Sequence, residues 1–118
     1  MLRITRATLE QAPLVRRIML DAFEQYLGVL DPPSSAHGET LEDVRRVMEE
    51  GGALLAWEDD AAVGCLRFQR KPDYLRVGRV SVLPAYRQRG IATAMMRAVE
   101  PIALEMGYTC IHMGVRLI

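Results

Sequence analysis

From Val80 to Met96 the chain reads Val-Ser-Val-Leu-Pro-Ala-Tyr-Arg-Gln-Arg-Gly-Ile-Ala-Thr-Ala-Met-Met. An alternating apolar stretch runs into a short turn, and the turn opens a segment with helical spacing. The first N–H groups of a helix have no partner inside it, and the macrodipole places partial positive charge at that end. A phosphate set there meets several converging donors. Gly90 has no side chain to block close approach or to forbid an unusual backbone conformation. Ala92 stays small, and Arg87 and Arg89 add formal charge beside the donors. The chemistry this pattern allows is the holding of a polyanion.

Two better-known phosphate motifs do not apply. No Gly-Lys-Ser/Thr follows, so the turn is not a P-loop, and the three-glycine spacing of a dinucleotide fingerprint is missing. On physics alone the same residues also read as an ordinary helix start with arginines facing water. Charge along the chain bears on the choice. Residues 67–97 hold eight basic side chains against the single Asp73, while residues 1–66 hold twelve acidic and six basic ones, and the whole chain is neutral. A basic segment inside a neutral protein suits a compact polyanion better than a long nucleic acid, which calls for a broader excess. A solvated basic face is the plainer alternative. No interleaved aromatic platform accompanies the segment beyond Phe68, Tyr74 and Tyr86, so nucleic acid is not expected as a partner.

Elements that must position this turn follow from periodicity. Leu2 to Arg6 alternates as a first strand. Thr8, with Gln11 in capping-box position, opens a helix whose apolar stripe is Leu14, Val15, Ile18, Met19, Ala22, Phe23 and Tyr26, ending near Gly28. Asp31-Pro32-Pro33-Ser34-Ser35 reads as loop. Thr40, with Asp43, caps a second helix that stops at Gly51-Gly52. Strands are expected from Ala53 to Trp57, Ala62 to Arg70 and Tyr74 to Val82, joined by polar turns. A helix from about Gly90 to Met106 contains Pro101, which removes one hydrogen bond and predicts a kink. Gly107 is its αL stop, and Tyr108 to Val115 is a last strand, parallel to its neighbour across the crossover.

A chain of 118 residues, half of them hydrophobic, allows one modest core. No apolar run reaches membrane-span length and no signal-peptide stretch opens the chain, so a cytoplasmic protein without membrane attachment is expected. Cys65 and Cys110, both in strand-like runs, read as small buried side chains. His37 and His112 are too few and too far apart for a metal site.

With these elements in place, the turn resembles motif A of the GNAT superfamily of N-acetyltransferases, whose signature is Arg/Gln-x-x-Gly-x-Gly/Ala. Arg87, Gly90 and Ala92 supply it, after the lead-in Val82-Leu83-Pro84-Ala85-Tyr86. The order of elements upstream also matches, so the resemblance covers nearly the whole chain, residues 1–118, as a single domain. It implies an α/β (α+β) mixed sheet of the acyl-CoA N-acyltransferase-like fold, in the order β-α-α-β-β-β-α-β. In that fold the strand ending at Val82 and the last strand splay apart.

The resemblance further implies acetyl-CoA in that gap, with its pantetheine arm on the backbone of Val80, Ser81 and Val82. Its pyrophosphate would sit on the amides of Gln88, Arg89, Gly90, Ile91, Ala92 and Thr93. The Val82 amide is the expected donor to the thioester carbonyl, and a primary amine of a small molecule or peptide the expected acceptor, attacking without an acyl-enzyme. No residue is assigned as general base or acid; Glu24, Asp31, His37 and Glu39 are candidates by position, each also readable as a solvated side chain. Family members usually continue into a further helix and strands that carry an Asn and an acidic Tyr, and this chain ends before them. That leaves a non-catalytic or truncated CoA-binding module as the alternative, and makes a homodimer across exposed strand edges a further expectation.

Overall fold

The computed structural model describes residues 1–24 and 39–113. Strand β1 (Leu2–Arg6) leads through a single 3-10 turn (Leu9–Gln11) to helix α1 (Ala12–Glu24). Helix α2 (Leu41–Glu50) precedes the meander β2 (Gly52–Glu58), β3 (Ala61–Arg70) and β4 (Leu75–Val82). Helix α3 (Ile91–Glu105) and strand β5 (Ile111–Met113) complete the described chain. The five strands lie in sequence order in one sheet, antiparallel except for the parallel β4–β5 pair. This is the expected order of elements, with the crossover where the sequence places it.

The caps explain the boundaries. The Thr40 hydroxyl accepts from the Asp43 amide at 3.1 Å, and the Asp43 carboxylate accepts from the Thr40 amide at 3.0 Å, a reciprocal capping box. Gly51 ends α2 because the chain passes tight against β3: a Cβ there would lie 1.9 Å from the Phe68 carbonyl oxygen. Gly107, at φ +89°, stops α3, and the Tyr108 amide reaches back to Ala103 O at 2.9 Å. Helix α3 runs through Pro101. Gly28, Tyr26 and the Asp31–Ser35 loop expected from sequence lie outside the described residues.

The sheet is covered on both faces, as the near-continuous apolar run of β2 requires. On one face α1 and α2 bury Val15, Ile18, Met19, Val44 and Met48 against Ala53, Leu55 and Cys65. On the other, α3 lays Ile91, Met95, Val99 and Ala103 on Leu54, Leu66, Phe68, Leu75 and Val77. Ile91, Met95, Val99 and Ala103 are spaced by four, so a single stripe holds α3 to the sheet and fixes where its first turn sits.

Two expectations are corrected here. Cys110 is exposed; it stands one residue before the short strand β5, whose own His112 and Met113 are exposed as well, while Cys65 is buried as expected. The last strand begins at Ile111, three residues after Tyr108, since the turn that caps α3 consumes the residues between.

Candidate functional site

Strand β4 changes phase halfway along its length. Arg67 pairs with Gly78, but Cys65 pairs with Ser81, so Arg79 and Val80 together stand against the single Leu66. This is a β-bulge, and Arg79 sits in it at φ +51°. Its effect is to shift side-chain direction by one residue. Leu75 and Val77 face α3 before the bulge, and Val80 and Val82 face it afterwards. Ser81 is buried, its hydroxyl donating to Arg79 O at 3.0 Å.

Backbone direction follows from the ladder. The Leu83 amide donates to Val63 O at 2.9 Å, so in this antiparallel pair the Leu83 and Ser81 amides face β3. Those of Val82 and Val80 then face away from β3, on the side where β5 lies. Among the described residues β5 pairs only with Leu75, Arg76 and Val77. Among the described residues nothing pairs with the outer edge of β4 from Val80 to Val82. Ser81 departs from expectation: its main chain and side chain both turn from that edge.

A cleft of about 470 Å³ lies between the end of β4, the first turns of α3 and β5. Val80, Ala92, Thr93, Met96, Ile111 and Met113 contribute to its walls. At its rim Gly90 is the N-cap of α3, at φ +78° and ψ +13°, and no side chain caps the helix. The first helical bond of this turn runs from the Ala94 amide to Gly90 O, which leaves the amides of Ile91, Ala92 and Thr93 outside the helix ladder. A Cβ built on Gly90 would meet nothing within 4 Å, so the approach to these donors is clear. Gln88 also adopts positive φ, +64°, which tightens the turn before the helix.

The two arginines of the turn behave differently from the expectation that both lend charge to the helix start. Arg87 turns inward: its Nε donates to Val82 O at 3.0 Å and its Nη2 to Ala22 O at 2.8 Å. It ties the turn to α1. Arg89 is exposed and lies over the Tyr86 ring at 5.2 Å. Of the signature residues, Gly90 and Ala92 face the cleft region and Arg87 braces it from behind.

A profile of the acetyltransferase (GNAT) family matches residues 15–117. The chain belongs to the GNAT acetyltransferase family. Solved structures agree on the fold. An aminoglycoside acetyltransferase from an uncultured soil metagenomic sample superposes with a TM-score of 0.74 at 20% identity, over 100% of this chain and 82% of the other. The PaiA N-acetyltransferase of Thermoplasma acidophilum, solved in complex with coenzyme A, gives 0.76 at 14% identity, covering 91% and 74%. The ribosomal-protein-alanine N-acetyltransferase of Brucella melitensis biovar Abortus 2308 gives 0.73 at 17%, covering 100% and 82%. A comparison with curated protein sequences returned no match.

This GNAT domain also carries a feature that the sequence reading missed. Glu39 is held in a clamp: Arg67 binds both its oxygens, Nη1 to Oε2 and Nη2 to Oε1 at 2.9 Å, and Arg79 Nε adds a bond to Oε1 at 3.0 Å. Burial is the largest single influence and would raise the Glu39 pKa, but the bonds and charge of Arg67, with those of Arg79, together outweigh it and lower it. A carboxylate held below its ordinary value, with both oxygens engaged, accepts a proton less readily than a free one. Asp31, His37 and the Glu24 side chain lie outside the described residues. The missed signal was in the spacing: Val77 to Val80 is three residues where an unbroken strand needs two, and that break marks the bulge that swings Arg79 towards Glu39. Among the described residues no group of His, Cys, Asp and Glu could hold a metal ion, and no helix is long and apolar enough to cross a membrane.

Proposed function

We propose that this GNAT domain, as one unit over residues 1–118, transfers an acetyl group from acetyl-CoA to a primary amine. One observation carries the reading: uncapped amides at the start of α3, opened by a left-handed glycine, stand at the rim of a cleft bordered by the outward-facing edge of β4. In this reading the amides from Gln88 to Thr93 hold the pyrophosphate, with Gly90 keeping the approach clear. The edge from Val80 to Val82 takes the pantetheine arm as an added strand, chiefly through the N–H and C=O of Val80, since the Val82 carbonyl already accepts from Arg87. The largely apolar wall of Met96, Ile111 and Met113 suits the rest of that arm.

Acetyl-CoA supplies an acyl group activated as a thioester. The chain's own part is to orient it and to stabilise charge on the carbonyl oxygen, for which an N–H fixed in place needs no reorganisation. The Val82 amide is assigned that role. An amine attacks the acyl carbon directly once neutral; the carbon–sulfur bond then breaks, and CoA leaves as the thiol while the nitrogen loses its extra proton to solvent. A cytoplasmic setting, and a homodimer that covers the outer strand edges, complete the reading.

The test is a calorimetric titration with acetyl-CoA and with CoA, followed by free-thiol release over a panel of amines. Tight binding with acceptor-dependent thiol release supports the enzyme. Binding without release over the panel would leave only a CoA-binding module, and no binding would end the reading.

A further inference from the structure

Strand β4 presents its amides in opposite senses on the two sides of the bulge. The Leu75 amide donates to Cys110 O at 3.0 Å, so before the bulge the amides of Leu75 and Val77 face β5 and those of Arg76 and Gly78 face β3. After it the Leu83 amide donates to Val63 O, so the amides of Ser81 and Leu83 face β3 and those of Val80 and Val82 turn outward. An unbroken strand would point the Val82 amide into the β3 ladder and swing its side chain to the other face of the sheet. The donor assigned to the acyl oxygen is therefore on the outer edge only while the bulge is in place.

Such a bulge has to be held. Arg79 sits in it at φ +51°, a left-handed conformation that is costly for any residue with a Cβ. Where the first residue of a bulge is left-handed it is ordinarily glycine, and here an arginine stands there. The arginine brings an anchor with it. Its Nε donates to Glu39 Oε1 at 3.0 Å, and its Nη2 lies 2.9 Å from the same oxygen. Its carbonyl accepts from the buried Ser81 hydroxyl at 3.0 Å. Glu39 is itself fixed at two points. Arg67 donates to both carboxylate oxygens, and the Arg16 Nε of α1 donates to the Glu39 carbonyl at 3.1 Å. Arg67 is nearly buried and pairs with Gly78, the residue just before Arg79. A chain of bonds thus runs from α1 and β3 through Glu39 to the left-handed residue of β4.

Resting on the acetyl-transfer reading, we infer that Glu39 is a positioning residue for that reaction: through Arg79 it holds the β4 bulge in register and so aims the Val82 amide at the thioester carbonyl. The role needs the carboxylate's charge and both its oxygens, but no proton transfer. A neutral side chain there leaves Arg67 and Arg79 to repel one another, and the left-handed backbone of Arg79 then loses its compensation.

Acetyl-CoA labelled with 13C at the thioester carbonyl, with no acceptor present, provides the test. A donor on the carbonyl oxygen polarises the bond and moves the 13C resonance downfield of the free coenzyme, as the parent should show. Glu39→Gln should bind acetyl-CoA within about twofold of the parent, since the α3 amides are untouched, yet lose most of that shift. Cross-strand NOEs should give the reason: in part of the population Cys65 faces Val80 in place of Ser81. Adding Arg79→Gly to Glu39→Gln should restore both shift and register, because glycine accepts φ +51° without an anchor. That rescue separates positioning from a lost ion pair or a lost proton acceptor, neither of which glycine supplies. Should Glu39→Gln not fold, Arg79→Gly against Arg79→Val makes the same comparison. Both delete the bonds to Glu39, and only glycine should keep the register and the shift. A full shift in Glu39→Gln, a loss that the added glycine leaves unrepaired, or equal behaviour of the two Arg79 variants would overturn the assignment. A parent without a shifted carbonyl marks failure of the acetyl-transfer reading, and the Cys65–Ser81 contacts in the same variants still decide whether Glu39 holds the bulge.

Discussion

The Arg87 Nη2 group donates to the carbonyl of Ala22 at 2.8 Å, joining residues 65 apart in sequence. Ala22 lies in α1. The same guanidinium holds Val82 O at 3.0 Å. The signature arginine therefore couples three elements: α1, the end of β4 and the turn that opens α3. Whatever it lends to the coenzyme, it also braces the turn that presents the amides of α3.

Arg87→Ala should consequently cost stability as well as affinity. Two charge-assisted bonds to half-buried carbonyls are worth roughly 2 kcal/mol together, after allowance for water replacing part of them. In a domain of this size that lowers the melting temperature by roughly 5–10 °C. Arg87→Lys, which lacks the fork, should recover only part of it. A melting temperature unchanged in Arg87→Ala would show that the brace carries no weight.

Gly90 is tested by two substitutions of different kinds. Gly90→Ala places a Cβ in left-handed backbone, which costs roughly 1–2 kcal/mol whatever the space around it. Since that Cβ would meet no atom within 4 Å, affinity for acetyl-CoA should fall only modestly. Gly90→Glu adds a negative charge beside the phosphate donors and should abolish binding. Calorimetry that found Gly90→Glu equal to the parent would remove the turn from the coenzyme site.

Acid stability should depend on the Glu39 clamp. The ordinary carboxyl value is 4.5, and the folded protein holds Glu39 below it. The folded state then binds that proton less readily than the unfolded chain, so the clamp contributes fully above the ordinary value. Its contribution is lost as pH falls through the depressed folded value. Glu39→Gln should lower stability at neutral pH by about 2 kcal/mol, a discounted figure for a pair that is not fully buried. It should also flatten the acid limb of the stability profile. Denaturant unfolding of both proteins between pH 3 and pH 7, on the order of the carboxylate titration range, checks both points; parallel profiles would contradict them.

Much of this architecture is legible in the chain because local rules agree with the fold. The Thr40–Asp43 box, the Val15, Ile18, Met19 and Ala22 stripe and the Gly107 stop each act within one or two turns. The strand-turn-helix around Gly90 is local too. Long-range features are harder to read. Nothing near Arg87 announces Ala22 as its partner, and nothing near Glu39 announces Arg67 and Arg79. Cys110 misled because an apolar run of strand-like residues does not say whether anything covers the strand; here β5 itself leaves His112 and Met113 exposed. The β4 bulge lies between these cases, since the Val77 to Val80 spacing records it, but only to a reader counting residues per face.

The two thiols should react at very different rates. Cys65 is buried, its Sγ 3.6 Å from Val15 O, and burial pushes its pKa up to about 12. Reagents need an accessible thiolate, and Cys65 offers neither access nor charge. Cys110 is exposed ahead of β5. In the native protein a disulfide reagent should therefore label Cys110 promptly and Cys65 only on unfolding. Cys110→Ser should abolish the fast phase, and prompt labelling that persisted in it would mean the core around Val15 opens readily.

The most direct probe of the proposed chemistry is Val82→Pro. Proline removes one N–H, and in most strand positions that also removes a ladder bond. Val82 is different, because the Leu83 amide bonds Val63 O and the alternation of the ladder turns the Val82 amide outward. The β3–β4 pairing should survive, and circular dichroism with a melting curve would verify it. What the substitution deletes is the donor assigned to the acyl oxygen. Loss of one such donor costs about a hundredfold or more in turnover. The expected outcome is a folded protein that still binds CoA through the amides of α3 but transfers acetyl groups about a hundredfold more slowly. A folded variant with full turnover would move the carbonyl-stabilising role from Val82 to another amide on that edge, with Val80, beside the bulge, the next to be tested.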